Sequence, residues 1–190
     1  THGHEDHIGA IPYLLREMKI PIYGTKLTMG KLEHKLKEHK LLKDTKLHII
    51  KPREEFNLGP FKIEPIRVCH SIADSVAFNI TTPVGNVVFT GDFKIDYTPI
   101  DGEKLDLNRF EEIGKSGVLL LLSDSTNADS PGTTPSERTV GETFDRIFSE
   151  VKGRILIATF ASNIHRVQQV FNTAIKYEKK VTVSGLSMKN

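Results

Sequence analysis

Three histidines and one aspartate, all of kinds that bind metal ions, fall within six consecutive residues near the start of the chain. The run reads His2-Gly3-His4-Glu5-Asp6-His7. Zinc in proteins is bound by neutral imidazole nitrogens, thiolates and carboxylate oxygens, and a catalytic site keeps one position for water. A regular helix cannot direct all four side chains to one ion, whereas a tight loop lets two face one ion and two face a neighbour. The run therefore predicts a ligand-bearing loop over residues 1–7 and favours a pair of ions.

Two further candidate ligands stand where predicted strands end. His70 follows a strand predicted over 61–68, and Asp92 follows a hairpin predicted over 76–81 and 86–90. A rigid sheet can direct such side chains to a shared site. An aspartate has two oxygens and can bridge two ions about 3.5–4 Å apart. The predicted metal ligands are therefore His2, His4, Asp6, His7, His70 and Asp92.

A simpler explanation of the opening run is a tag remnant or a chance surface loop. That explanation does not account for Asp6, His70 and Gly91-Asp92. His70 alone would be more typical of a packed or surface histidine, so its assignment depends on the complete set.

The remaining pattern predicts a mixed α/β chain with a change of organisation near residues 130–136. Before that point, helices are expected over 8–19 and 25–42, and short strands over 21–23, 46–50 and 118–122, the last one buried. Ser130-Pro131-Gly132-Thr133-Thr134-Pro135 is typical of a linker. After it, helices over 136–151 and 163–179 alternate with strands over 154–160 and 181–184, which indicates a parallel sheet.

Composition restricts the protein class without choosing a partner. Hydrophobic residues make up 38% of the 190 residues and charged residues 26%, which is ordinary for a soluble domain. No window approaches the length of a membrane span, so no membrane partner is expected. The single cysteine, Cys69, excludes an internal disulfide and suits a cytoplasmic location. A net charge of +2 neither demands nor excludes a polyanionic partner.

The motifs resemble the metallo-β-lactamase superfamily and, within it, the ribonuclease J family of the β-CASP group. The resemblance extends along essentially the whole chain. It rests on the segments 1–9, 70–75, 90–94, 122–127 and 158–166.

This resemblance implies an α/β (α+β) fold, namely a metallo-β-lactamase αββα sandwich that is incomplete at both ends. Residues 1–135 would form part of that domain, and residues 136–190 the first part of a β-CASP domain. The family takes a further histidine for its second zinc from beyond this chain. We therefore expect the chain to be a piece of a larger protein and to be inactive alone.

The resemblance also assigns roles to the residues. His2, His4 and His70 would bind the first of two zinc ions per full-length subunit, Asp6 and His7 the second, and Asp92 both. Asp6 and Asp124 would be the catalytic carboxylates, with Asp124 partnering a histidine outside this chain. Alternatively, Asp124 caps a turn through Ser125-Thr126.

The implied function is a zinc-dependent ribonuclease that acts on RNA both 5′-to-3′ and endonucleolytically, in RNA processing and decay. The family forms homo-oligomers or hetero-oligomers of paralogues. Two alternatives stay open: a non-catalytic subunit that binds RNA or a partner, and a hydrolase of another ester or thioester in the same fold.

Two segments are candidate RNA contacts. Ser162, Asn163, His165 and Arg166 lie at a predicted helix start, where backbone N–H groups favour anions, although helix capping alone explains Ser162 or Asn163. Residues 25–46 carry seven lysines against three acidic residues. Such an excess attracts phosphates, but lysines on a helix are more often a solvated face.

Overall fold

The computed structural model describes residues 1–185 and residue 188. Residues 186, 187, 189 and 190 of the predicted second domain lie outside the described residues. The helices are α1 Glu5–Ile8, α2 Ile11–Glu17, α3 Lys26–Glu38, α4 Leu107–Ser116, α5 Arg138–Glu150 and α6 Ile164–Lys176, with a 3₁₀ turn at Leu42–Asp44. The strands are β1 Ile22–Gly24, β2 Leu47–Ile49, β3 Phe56–Leu58, β4 Phe61–Arg67, β5 Val76–Thr82, β6 Gly85–Phe89 and β7 Leu120–Leu122.

A five-stranded sheet, in the order β3-β4-β5-β6-β7, provides the frame of the molecule. From β3 to β6, each strand pairs antiparallel with the next strand along the chain, and β7 pairs with β6 in parallel. Because β4, β6 and β7 run in the same direction, their carboxyl ends lie at the same end of the sheet. The residues that follow these three strands are His70, Asp92 and Asp124, so the topology brings them to that end.

The sheet is stabilised by an apolar core on which α4 packs. Ile66, Ala77 and Val88 from three adjacent strands are buried there together with Ile113 of α4. Asp106 caps α4 by accepting a hydrogen bond from Arg109 N–H (3.2 Å). Burial of these side chains removes apolar area from water and thereby fixes the strands that carry the site.

A second, smaller layer consists of the parallel pair β1-β2 with α2 and α3. Met29, Leu32 and Leu36 recur at the spacing of one helical face and are buried in α3. They form one cluster with Ile8 and Leu15. This cluster holds α3 against the start of the chain.

The last part of the described chain is a pair of packed helices, α5 and α6. Phe148 and Ala174 are buried between them. Asn163 caps α6 by accepting a hydrogen bond from Arg166 N–H (3.0 Å). No helix of the described residues combines the length and apolar character needed to cross a bilayer.

Several predicted elements are wrong in detail. The predicted strands over 154–160 and 181–184 are not strands, because neither segment has a hydrogen-bonded partner strand among the described residues. The predicted strand over 118–122 is the shorter β7. Its three residues are 46–58% exposed rather than buried, since β7 is the edge strand and no described element covers it.

Other differences concern the beginning of the chain and two missed elements. Residues 1–7 are not entirely a loop, because α1 begins at Glu5. The helix predicted from residue 8 begins only at Ile11, after the turn at Gly9. The sequence patterns did not reveal α4 and β3 at all, because α4 is amphipathic but short and β3 has only three residues.

Candidate metal centre

The opening loop is fixed against both the sheet and α3. The Thr1 carbonyl accepts a hydrogen bond from Val76 N–H (3.1 Å) at the start of β5. A Cβ added to Gly3 would lie 3.0 Å from Cδ of Lys31, so the stem of this α3 lysine lies directly over the loop. The residues on either side of Gly3, His2 and His4, are thereby held in place before any ligand binds.

Three imidazole nitrogens meet at this loop. Nε2 of His2 lies 3.0 Å from Nδ1 of His4, and Nε2 of His70 lies 3.1 Å from the same atom. Oδ2 of Asp92 lies 3.8 Å from Nε2 of His2 and 3.6 Å from Nε2 of His70. One donor atom from each of the four residues lies within 4.8 Å of the others, a spacing at which all four can contact one ion.

Burial keeps these imidazoles neutral. It lowers the pKa of His2 to about 2 and that of His70 to about 4, and neighbouring imidazoles act in the same direction. It also lowers the pKa of His4. Imidazole coordinates metal only in its neutral form, so the cluster is in the ligand state at neutral pH.

The donor set fits a metal ion. Three facing nitrogens cannot all be satisfied by protons shared among them, whereas one cation satisfies them together.

A second group shares Asp92. Nε2 of His7 lies 3.3 Å from Oδ2 of Asp92 and 3.7 Å from Oδ2 of Asp6. The three residues together satisfy the same spacing as the first group. The Asp6 side chain is 78% exposed, so this group is open to solvent on one side. All six predicted ligands are therefore brought together around Asp92.

The Thr1 hydroxyl is a neighbour of the site that sequence reasoning missed. Its Oγ1 lies 3.1 Å from Nδ1 of His2 and 3.5 Å from Nδ1 of His7. An outer hydrogen bond of this kind selects which ring nitrogen faces the metal. For both histidines, it leaves Nε2 directed at Asp92. The hydroxyl residue directly before the first histidine was the signal that could have revealed it.

Asp124 lies beside the first group and also caps a turn. Its Oδ1 accepts a hydrogen bond from Thr126 N–H (2.9 Å), and its own N–H donates to Oγ1 of Thr90 (2.9 Å). Burial opposes ionisation of the carboxyl, but hydrogen bonds from Thr126 and from the backbone of Phe93 lower its pKa overall. The capping role is therefore observed, and Asp124 lines the same surface cavity as Asp92.

The candidate RNA contacts have partners within the chain. Asn163 Oδ1 is the cap of α6. The Arg166 guanidinium forms a bidentate ion pair with Glu137 (2.8 and 3.0 Å). Nε2 of His165 is buried 3.4 Å from Oδ2 of Asp101, without a hydrogen bond of good geometry among the described residues. Asn163 and Arg166 therefore have structural roles here, and contact of this segment with RNA stays a prediction.

Ser162 is the member of that segment nearest to the metal centre. Burial dominates the lowered pKa of His4, and the backbone of Ser162 partly offsets it by stabilising the protonated ring. The segment before α6 therefore lies next to a candidate ligand of the opening loop.

Comparison with models of known protein families shows to which superfamily this chain is related. A family model described as a beta-lactamase superfamily domain matches residues 1–143. This chain belongs to the metallo-β-lactamase superfamily. A second model, described as the beta-CASP domain of ribonuclease J, matches residues 152–190. The recognition made from the sequence motifs and the mixed α/β fold class are thus confirmed.

Curated relatives of this superfamily member are similar over its full length. Ribonuclease J of Synechocystis sp. is 53% identical, with 100% of this chain and 30% of the relative covered. Ribonuclease J of Helicobacter pylori is 50% identical, with 99% and 27% covered. The chain thus spans roughly 30% of the length of these relatives.

A solved structure shares the fold. The crystal structure of a protein of unknown function from Enterococcus faecalis V583 matches with a TM-score of 0.61 at 18% identity, covering 80% of this chain and 39% of that one. At this identity the likeness shows the fold alone.

Proposed function

We propose that the full protein carrying this chain is a zinc-dependent ribonuclease that hydrolyses RNA phosphodiester bonds. The observation that carries the proposal is the convergence of six nitrogen and oxygen ligands around Asp92. The similarity to proteins named ribonuclease J supports RNA as the substrate. We propose further that residues 1–135 belong to the metallo-β-lactamase domain and residues 136–190 to the β-CASP domain.

The proposed ligand sets follow the two groups. His2, His4 and His70 hold one zinc ion, Asp6 and His7 the other, and Asp92 belongs to both. Bound zinc supplies positive charge at the scissile phosphate and lowers the pKa of a bound water. The second set, with three residues, leaves room for another ligand.

The chain's own residues prepare this chemistry. The buried histidines are neutral and directed inward before metal arrives, which reduces the ordering needed on binding. The Thr1 hydroxyl holds His2 and His7 by their Nδ1 atoms. Asp6, exposed beside His7, is positioned to accept a proton from an attacking water.

Asp124 has a different proposed role. Its lowered pKa keeps the carboxyl ionised at neutral pH. Asp124 is therefore better suited to orient a protonated partner than to donate a proton itself. The partner we propose is a histidine supplied by the full protein, which would protonate the leaving oxygen.

We also propose that the protein works in cytoplasmic RNA processing and decay, cleaves RNA both from the 5′ end and internally, and assembles as an oligomer of identical or paralogous chains. The RNA would pass beside the metal centre near Ser162, where the segment carrying Asn163, His165 and Arg166 approaches His4.

The test is RNA cleavage by the full chain. Zinc-loaded protein is incubated with RNAs labelled at the 5′ end or internally, with and without chelator, alongside an Asp92→Asn variant. Cleavage that needs zinc and Asp92 supports the proposal. RNA binding without cleavage would favour a non-catalytic subunit, and hydrolysis of a thioester but not of RNA would favour another hydrolase.

A further inference from the structure

Lys31 is a cation placed against the candidate ligand loop. It lies on α3, and its Cδ would be 3.0 Å from a Cβ on Gly3, the residue between two candidate ligands. The start of α3 is tied to the loop after His70, because Leu27 N–H donates to Oδ2 of Asp74 (3.3 Å). α3 is therefore held beside the metal centre at two places, and its Lys31 lies over the ligand loop.

The ammonium of Lys31 has no ion-pair partner within residues 1–185 and 188. The carboxylate of Glu5 attracts the Lys31 ammonium but forms its ion pair with Lys35, whose Nζ lies 2.6 Å from Oε1 of Glu5. Lys31 is also half-buried, and burial, which Glu5 offsets only in part, lowers the pKa of its ammonium. A half-buried cation with no carboxylate in contact keeps part of its desolvation cost.

The position of this charge works against metal binding. Lys31 disfavours a further positive charge at His4, and a zinc ion there would be repelled by the same ammonium. A lysine at this place is useful when an anion occupies the site together with the metal. Lys26 and Lys37 of the same helix are instead exposed to solvent.

We propose that Lys31 binds a backbone phosphate of the RNA next to the metal centre and so positions the chain for cleavage. The inference rests on the proposed ribonuclease function and deepens it, since it names the residue that receives the substrate's charge. A lysine acts on phosphate as a mobile point charge with three donors, which suits a phosphate in varied sequence contexts.

The experiment measures RNA binding and metal binding separately. Full-chain protein loaded with zinc is titrated into a fluorescein-labelled single-stranded RNA with phosphorothioate linkages, which is cleaved slowly, and anisotropy is followed over a range of salt. The variants are Lys31→Gln, Lys31→Arg and the matched control Lys37→Gln. Zinc content and affinity are measured for each variant.

Lys31→Gln is expected to weaken RNA binding about tenfold, which corresponds to about 1.4 kcal/mol, because one charge-assisted hydrogen bond to a phosphate is lost. The slope of log affinity against log salt should fall by about 0.7, the value for one phosphate on a single strand. Lys31→Arg should keep the slope, and Lys37→Gln should bind like the wild type. Zinc affinity of Lys31→Gln should be equal or higher.

Two results would overturn the inference alone: Lys31→Gln binding RNA as Lys37→Gln does, or Lys31→Gln losing zinc, which would show a structural role. Failure of the wild-type protein to bind or cleave RNA would instead overturn the proposed function, and with it this inference.

Discussion

Nε2 of His7 lies 3.3 Å from Oδ2 of Asp92, although His7 belongs to α1 and Asp92 follows β6. The same carboxylate oxygen lies 3.6 Å from Nε2 of His70. A single oxygen therefore faces both groups of candidate ligands. The account of the site depends on this shared position.

Replacing the shared carboxylate should affect both ions. Asp92→Asn removes the negative charge while keeping the shape, so affinity for both zinc ions should fall by at least tenfold each, since even the loss of a ligand's outer hydrogen-bond partner costs about 10–100-fold. His70→Ala should weaken only the first ion. Competition with a chromophoric chelator measures both affinities, and equal effects of the two variants would contradict the shared role.

Gly91 sets the direction of Asp92. Its φ of +57° is in the left-handed region, and a Cβ there would lie 2.8 Å from Cγ2 of Thr1. Gly91→Ala should lower the free energy of unfolding by about 2 kcal/mol, since the backbone conformation alone costs roughly 1–2 kcal/mol. Denaturant unfolding of the metal-free protein measures this change.

Gly30 provides the control for that substitution. It lies inside α3, with nothing within 4 Å of an added Cβ. Gly30→Ala should therefore stabilise the protein by about 0.5–1 kcal/mol. A destabilisation of equal size in both variants would show that the effect at Gly91 is not specific.

The metal-free protein should lose stability on mild acidification. The folded pKa is lowered from 6.5 to about 4 for His70 and to about 2 for His2. Below pH 6.5 the unfolded chain therefore binds protons that the folded chain does not bind. The free energy of unfolding falls as the pH drops toward 4 and continues to fall below it. Chemical unfolding in chelator at pH 7.5, 6 and 5 tests this, and a midpoint that stays constant would contradict it.

A buried ion pair fixes α4 to the sheet. Nε and Nη2 of Arg109 donate to the two oxygens of Glu64, each at 2.8 Å, and the Glu64 side chain is only 5% exposed. Glu64→Gln leaves the guanidinium partly unpaired and should destabilise the protein by about 3 kcal/mol. Glu111→Gln, which breaks an exposed pair with Lys115, should leave the unfolding midpoint nearly unchanged. Similar losses of stability in both variants would contradict the assignment of a special role to the buried pair.

The candidate ligands could be predicted from sequence because their chemistry is local and their spacing is distinctive. His70 and Asp92 were recognisable as strand-end residues, and the topology brings them to one end of the sheet. Lys31 could not be assigned, because its role depends on which side chains lie nearby in three dimensions. The Thr1 hydroxyl left one signal, its place directly before the first histidine, but the ring nitrogens that it meets depend on the fold.

The wrong predictions about strands share one physical cause. An apolar run such as 154–160 favours a strand only where another strand accepts its hydrogen bonds, and the described residues provide none. Burial of β7 likewise depends on a covering layer that local pattern cannot show. The helix α4 was missed because the apolar face of a ten-residue helix is short.

The most direct test of the account is the number of zinc ions bound by the full wild-type chain, counted by native mass spectrometry after reconstitution. The account predicts two ions per chain, both lost in chelator and neither retained at full occupancy by Asp92→Asn. A protein that binds no zinc, or that binds two ions equally well without Asp92, would contradict it.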